Sequence, residues 1–527
     1  MNLFNPNFPY PSQRMPIFAR NVVATSQPLA AQAGLQILAR GGNAVDAAIA
    51  TAITLTVVEP TSNGIGSDAF AQVWDGEQLH GLNASGRSPK SWNLARFAGL
   101  ETMPLRGWDA VTVPGAVSAW VALSERFGSL PFEDLFETAI RYARDGFAVS
   151  PFTAQAWSAS QPIFADFPAW QQTFCPSGRA PAAGETFHCE AQAQTLELIA
   201  QTRGEAFYRG ELAQKMVADA KTHGGALELS DLAEHRANWV TPLAVAYRGH
   251  ELHEIPPNGQ GLAALIALGV LERTSIADFS IDSADSIHLQ IEAMKLGFAD
   301  VNQHLADENY MEIEASRFLA PDYLQDRAEL ISLSEARDPQ HAIPPHGGTV
   351  YLATADERGQ MVSLIQSNYF GFGSGVVVPG TGISLQNRGY GFVLEAGHPN
   401  VVAGGKRPLH TILPAFATQN GEPWLSFGVM GGPMQPQGHL QMMTRLIDGG
   451  QNPQAACDAP RWRVMQGRQV SFEAGFDPQV LAELERRGHR FAAPERWGFG
   501  GAQLILKTES GYVAASDGRK DGQAVGF

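Results

Sequence analysis

Apolar residues recur with two different periods along the chain, and the change falls near residue 349. Before it, helical spacing dominates. Leu29, Ala30, Ala33, Ile37 and Leu38 follow Ser26-Gln27-Pro28, which reads as an N-cap and a proline-opened first turn, and Gly41-Gly42 ends the run. Residues 44–58 are apolar on nearly every face, which predicts a helix buried against a sheet. Further helices are predicted over 115–127, 132–144, 191–202, 211–222 and 262–271. Another opens at Asp285, with Ile287, Ile291, Met294 and Phe298 on one core-facing side. Two hairpins interrupt this series, one joining 70–74 to 78–82 around Asp75-Gly76, the other joining 243–247 to a strand ending at Ile255.

After residue 348 strands take over. Residues 349–354 alternate, 361–365 are a short apolar run, and Asp356-Glu357-Arg358-Gly359 between them predicts a turn. Strands are also predicted at 411–417, 422–429, 470–472, 503–507 and 512–515, with one helix at 440–447. Neither half can bury both faces of its own sheets, so an α+β fold is expected, a four-layer αββα sandwich shared by both halves. Internal repeats and low-complexity segments are not seen, and the proline-rich connection 175–185 reads as a loop.

Thr349 opens the central hairpin directly after Gly347-Gly348. A cut before it would expose a threonine whose own α-amino group, titrating at roughly 7.7–8.0, acts as base for its hydroxyl. Glycine tolerates the backbone geometry that such self-attack needs. The polar stretch 321–346, with Pro339, Pro344 and Pro345, reads as an accessible tail leading to that bond. The triplet alone equally fits an ordinary strand threonine after a turn.

Several segments, in order, resemble the gamma-glutamyltranspeptidase family of N-terminal-nucleophile hydrolases. They are Gly41-Gly42-Asn43-Ala44-Val45-Asp46-Ala47-Ala48, Val111-Thr112-Val113-Pro114-Gly115-Ala116, Pro256-Pro257-Asn258-Gly259-Gln260-Gly261 and Glu292-Ala293-Met294-Lys295. Phe372-Gly373-Ser374-Gly375, Lys406-Arg407-Pro408-Leu409, Gly431-Gly432 and Asp458-Ala459-Pro460-Arg461 complete the series. The resemblance implies the αββα fold and cleavage between Gly348 and Thr349 into a large subunit, 1–348, and a small one, 349–527, intertwined in one domain. It implies Thr349 as nucleophile, Ser367 as the hydroxyl bonded to it, and the amides of Gly431 and Gly432 as the oxyanion hole. It implies Arg87 as the grip on a substrate carboxylate, with His410 and Thr411 where transpeptidases carry two serines.

One departure bears on the substrate. Transpeptidases of the family carry an acid that pairs with the glutamyl ammonium, whereas this chain has Gly391 at the matching position and Arg388 three residues earlier. An ammonium-bearing substrate would be desolvated there without a partner. A substrate with a carboxylate and no amino group fits better, Arg388 being a second grip, and Tyr369, Phe370 and Tyr390 could narrow the pocket toward a small one. The resemblance therefore points to the amidohydrolase and acylase branches, with oxamate, cleaved to oxalate and ammonia in purine and ureide catabolism, as the expected substrate. Three alternatives stand beside it: gamma-glutamyl transfer or hydrolysis on glutathione, a glutaryl or cephalosporin-type acylase, and an unprocessed binding homologue.

Composition changes this picture little. The 527 residues suffice for a large core. The net charge of −16 argues against nucleic-acid or anionic-membrane surfaces. The three cysteines, Cys175, Cys189 and Cys457, leave one unmatched, so reduced thiols are expected, and Cys175, His188 and Cys189 lack zinc-ribbon spacing. Neither a metal nor an organic cofactor is implied. With no signal-like opening and no membrane-length apolar run, the expected location is cytoplasmic. The expected partners are a small carboxylate amide and the two subunits of one precursor, with a dimer of heterodimers possible.

Overall fold

The central hairpin forms as predicted. In the computed structural model, which describes residues 9–11, 14–339, 348–495 and 497–527, strand Gly348–Ala355 runs antiparallel to Met361–Tyr369. Val350 faces Gln366 and Ala355 faces Met361. The pair sits at the centre of a seven-stranded sheet, flanked by Val22–Thr25 on one side and by Asp68–Trp74, Leu79–Asn83 and Asn238–Val240 on the other. Gln523–Gly526 closes the edge beyond Val22–Thr25.

A second seven-stranded sheet lies against the first, in the order Ile17–Ala19, Gly511–Ser516, Ala502–Thr508, Glu422–Val429, Ala415–Gln419, His250–Glu254 and Leu243–Tyr247. Each sheet therefore takes strands from both sides of Thr349. Phe70, Tyr351, Ile365, Phe416 and Ile505 fill the space between the sheets. Helices Pro28–Ala39 and Ala44–Val58 cover the outer face of the first sheet, and Gly261–Leu271 and Met434–Ile447 cover the second. This is the expected four-layer sandwich. Every residue of Ala44–Val58 is buried, and each Val, Leu or Ile there contributes roughly 1.5–3 kcal/mol.

Several element boundaries differ from expectation for identifiable reasons. Gln27, not Ser26, caps the first helix: its Oε1 accepts N–H groups from Leu29 and Ala30 at 2.6 and 3.2 Å, while the Ser26 hydroxyl donates to Glu59 at 2.6 Å. The predicted helix at 132–144 is a 3-10 turn, Phe132–Phe136, followed by helix Glu137–Asp145. The strand predicted from 411 begins at Ala415, because the backbone before it is engaged elsewhere, His410 N with Asn258 O and Leu413 N with Gln435 Oε1. The helix predicted from 440 begins at Met434. Helices Pro151–Ser160 and Pro168–Phe174 were not expected. The end of the predicted tail, with Pro344 and Pro345, lies outside the described residues. Among the described residues no helix is long and apolar enough to cross a membrane.

Candidate active site

Thr349 sits at a break in strand register between Gly348, opposite Tyr369, and Val350, opposite Gln366. Such a bulge re-aims one side chain out of the regular alternation. The Thr349 hydroxyl donates to Ser367 Oγ at 3.3 Å, and Ser367 Oγ donates to the Gly348 carbonyl at 2.7 Å. The first bond is long for a hydroxyl pair, as catalytic bonds often are before reaction. A chain of two hydrogen bonds thus links the Thr349 hydroxyl to the carbonyl oxygen of the residue before it. The Tyr369 N–H, donating to Ser367 Oγ at 2.8 Å, holds it in place.

Gly431 and Gly432 lie between strand Glu422–Val429 and helix Met434–Ile447. Both have positive φ, 117° and 58°, a region that side chains other than glycine's rarely adopt. Their N–H groups donate to no protein group among the described residues, which leaves them free to bind an oxyanion. The start of the helix adds its positive dipole end. Gln260 ties this turn to its neighbours, since its Nε2 donates to Gly432 O at 3.0 Å and to Thr411 O at 2.7 Å.

Behind Tyr369 lies a buried charged cluster. The Arg388 guanidinium is wholly buried, stacks 4.4 Å from the Tyr369 ring centroid, and donates through Nη1 to Thr411 Oγ1 at 2.8 Å. Its Nε and Nη2 have no protein partner among the described residues. Each unmade bond of this kind costs about 1–3 kcal/mol. Burial lowers the Arg388 pKa to about 10, so the cation persists at neutral pH. Tyr369 itself has φ 77°, a strained value for a non-glycine residue, worth about 1–3 kcal/mol.

Asp68, opposite Ser367 across the sheet, completes the cluster. Its carboxylate accepts N–H groups from Gly86 and Gly115 at 3.2 and 3.0 Å and meets His410 Nε2 at 3.2 Å. Burial raises its pKa to about 7, against the pull of Arg388 and the two amides. His410 is held well below its usual range by burial, then by Arg388 and Arg407. With Ile412 N–H donating to its Nδ1 at 3.4 Å, His410 is neutral and carries its proton on Nε2 toward Asp68. It positions Asp68 and does not line the cavity beside Thr349.

That cavity, about 410 Å³, is lined by Gly348, Thr349 and Gly431, by Phe152, Phe164, Phe370 and Trp497, and by the charged Arg106, Glu495 and Lys520. A larger one of about 730 Å³ between Tyr10, Glu473 and Arg519 contains none of the expected site residues. Arg87 is also elsewhere. Its half-exposed side chain donates to Asp307 Oδ2 at 2.8 Å and to Gly405 O at 3.1 Å, and it lines a separate cavity with Lys90 and His235. At position 391 a Cβ would stand 2.6 Å from the Leu409 carbonyl, so the backbone leaves no room there for an acidic side chain.

Asp68, Gln260, Arg106 and Lys520 were not singled out from sequence. Asp68 carried a faint signal, an acid opening the otherwise apolar strand Asp68–Trp74, whereas Lys520 sits in Arg519-Lys520-Asp521, which looks like solvated surface charge. His288, Glu292 and His489 are the metal-like group among the described residues. The Lys295 ammonium lies 2.5 Å from Glu292, and the two imidazoles hydrogen-bond each other at 2.8 Å. This reads as a polar network held by hydrogen bonds and an ion pair, with His489 Nδ1 left without a partner among the described residues. It holds the segment before the described stretch that begins at Gly348 through Ser332 O and Arg337 N.

Known proteins share this architecture. The profile of the Gamma-glutamyltranspeptidase family matches residues 30–527. A Glutathione hydrolase-like YwrD proenzyme of Bacillus subtilis is 36% identical over 97% of this chain and 99% of its own length. An Oxamate amidohydrolase proenzyme of Klebsiella pneumoniae is 35% identical over 95% of this chain and 97% of its own. The crystal structure of a cephalosporin acylase from Bacillus halodurans superposes with a TM-score of 0.93 at 47% identity, covering 99% of both chains. With the family profile, two full-length relatives and a full-length structural match in agreement, this chain belongs to the gamma-glutamyltranspeptidase family and is an amide-hydrolysing enzyme of the N-terminal-nucleophile fold.

Proposed function

We propose that the chain cuts itself between Gly348 and Thr349 and then hydrolyses an amide whose acyl group carries a carboxylate and no ammonium. Thr349 Oγ attacks the amide carbon, its α-amino group accepts the proton and passes it to the departing amine, and water hydrolyses the resulting ester. Gly431 and Gly432 hold the oxyanion, and Arg388, with Thr411 steadying it, receives the carboxylate. The observation that carries this reading is Arg388, a buried guanidinium stacked on Tyr369, the residue whose N–H holds Ser367, with two donors that have no partner among the described residues. A carboxylate accepting both is the planar match for that fork.

Oxamate is the smallest substrate that meets this description, and the Klebsiella relative supports it. A dicarboxylic monoamide is the second reading. It is favoured by the cavity volume, since pockets of about 300–1,000 Å³ hold drug-sized ligands, and by the likeness to the acylase. Glutathione is disfavoured, because its ammonium would meet Arg388 and find no acid at position 391.

Two experiments test the proposal. Thr349→Ala is expected to remain a single chain and to lose amide hydrolysis; a variant that stayed intact yet cleaved substrate would remove Thr349 from the mechanism. Ammonia or amine release from oxamate, glutathione and glutaryl amides, measured side by side, is expected to favour oxamate or the glutaryl amides. Preference for glutathione would overturn the assignment of Arg388.

A further inference from the structure

A cavity of about 490 Å³ lies between helix Ala116–Phe127 and the segments 203–209 and 235–239, and it shares no lining residue with the cavity beside Thr349. Four guanidinium groups line it, those of Arg126, Arg203, Arg209 and Arg236. The chain as a whole carries a net charge of −16, so this is a local field of the opposite sign. Arg209 is paired with Glu205 at 2.5 Å. The other three form no ion pair among the described residues, and Glu125, the second acid of the wall, is paired with none of the four. Arg126 is nevertheless fixed. The Asp75 carboxylate accepts the His80 Nε2–H at 2.7 Å, His80 Nδ1 accepts an Arg126 Nη2–H at 2.9 Å, and the guanidinium stacks 4.4 Å from the Trp239 ring centroid. Arg236 donates to the backbone carbonyls of Ala233 and His235, and Arg203 lies 5.4 Å from the Phe132 ring centroid.

His235 adds a group of another kind. It is 8% exposed, lines the same cavity and stacks on Tyr208 with 5.3 Å between ring centroids. The Ser118 hydroxyl donates to Gly115 O at 2.7 Å, so His235 Nε2 carries the proton and donates to Ser118 Oγ at 3.0 Å. Burial, then Arg407, Arg87, Arg236 and Arg209, lowers the His235 pKa to about 3, which leaves the ring neutral and its Nδ1 an acceptor. That nitrogen has no hydrogen-bond partner among the described residues. We infer that this cavity binds a phosphate group with a hydroxyl beside it, as in inorganic phosphate or a small sugar phosphate, the exposed Arg126, Arg203 and Arg236 closing on the anionic oxygens and the hydroxyl donating to His235 Nδ1. Guanidinium forks match phosphate oxygens in pairs. Sulfate has the same shape and a similar charge but no hydroxyl at neutral pH, so it leaves the imidazole nitrogen unmet. The volume has room for a sugar as well as the phosphate.

Calorimetric titration of the purified protein at constant ionic strength, with inorganic phosphate, ribose 5-phosphate and sulfate as the probes, tests the site. At least one of the two phosphates is expected to bind about ten-fold more tightly than sulfate, and the tighter of the two names the source. Arg126→Met and Arg236→Met are each expected to weaken that binding about ten-fold, the worth of one charge-assisted hydrogen bond. Arg106→Met, which alters the Thr349 cavity instead, is expected to leave it unchanged. Arg236 is exposed and bonded to backbone carbonyls alone, so its variant folds even if the loss of Arg126 from the Trp239 ring disturbs the chain. The inference is overturned if neither phosphate binds saturably, if sulfate binds as tightly as both, if Arg236→Met leaves phosphate binding unchanged, or if Arg106→Met weakens it.

Discussion

Arg87 was the expected grip on the carboxylate and Arg388 a second one, and their surroundings separate them. Arg388 is wholly buried against the Tyr369 ring, and two of its donors have no partner among the described residues, which costs the folded chain energy. Arg87 is half-exposed, paired with Asp307, and lines a cavity away from Thr349. We propose that the first meets a ligand, while the second ties Asp307 to the Gly405 carbonyl. Proximity to a motif does not distinguish them; the state of their hydrogen-bonding groups does.

The largest test of this contrast is activity. Arg388→Met is expected to lower kcat/KM for carboxylate-bearing amides roughly 100-fold, from the 2–5 kcal/mol typical of a buried charge contact, whereas Arg87→Met should change it less than about three-fold. Steady-state kinetics on processed enzyme reads both, and equal losses would erase the distinction. Thermal unfolding should show the reverse order. Arg388→Met removes two unpaired donors and should match or exceed the wild-type midpoint, while Arg87→Met should lower the midpoint slightly, the stability lost being about 1 kcal/mol or less because water screens a half-exposed pair.

The smallest effect concerns Asp68, the acid near Arg388. Its folded pKa, about 7, lies above the unfolded value, so the stability it contributes is complete below roughly pH 4 and is lost as pH rises through about 7. Glu59, also raised to about 7 by burial, acts in the same direction. Asp68→Asn should therefore flatten the fall in unfolding free energy between pH 4 and 7 without abolishing it, as urea titrations at several pH values would show. An unchanged slope would mean that Asp68 is ionised throughout and that Arg388 is better neutralised than its geometry implies.

What could be read from sequence follows the range of the interactions involved. The hairpin around Asp356–Gly359 and the buried helix Ala44–Val58 are local patterns, and both formed as expected. Helix Met434–Ile447 was read six residues too short because Pro436 and Gly438 disguise its first turns. Ser26 looked like a cap until Glu59, 33 positions away in the chain, claimed its hydroxyl. Thr349 follows a recognisable glycine pair, and the Gly431-Gly432 turn is one itself. By contrast, Lys520 comes to the cavity only through the packing of the chain's last turn against helix Pro151–Ser160, and no local pattern announces that.

The pairing of Val22–Thr25 with Gln523–Gly526, reinforced by the Phe527 carbonyl accepting the N–H groups of Arg20 and Asn21, ties together segments from opposite sides of Thr349. The strand carrying Thr349 is bordered by Val22–Thr25, and that strand in turn by Gln523–Gly526. A break in the chain before Thr349 would therefore leave two pieces that interleave strand by strand and cannot part without dismantling the sheet.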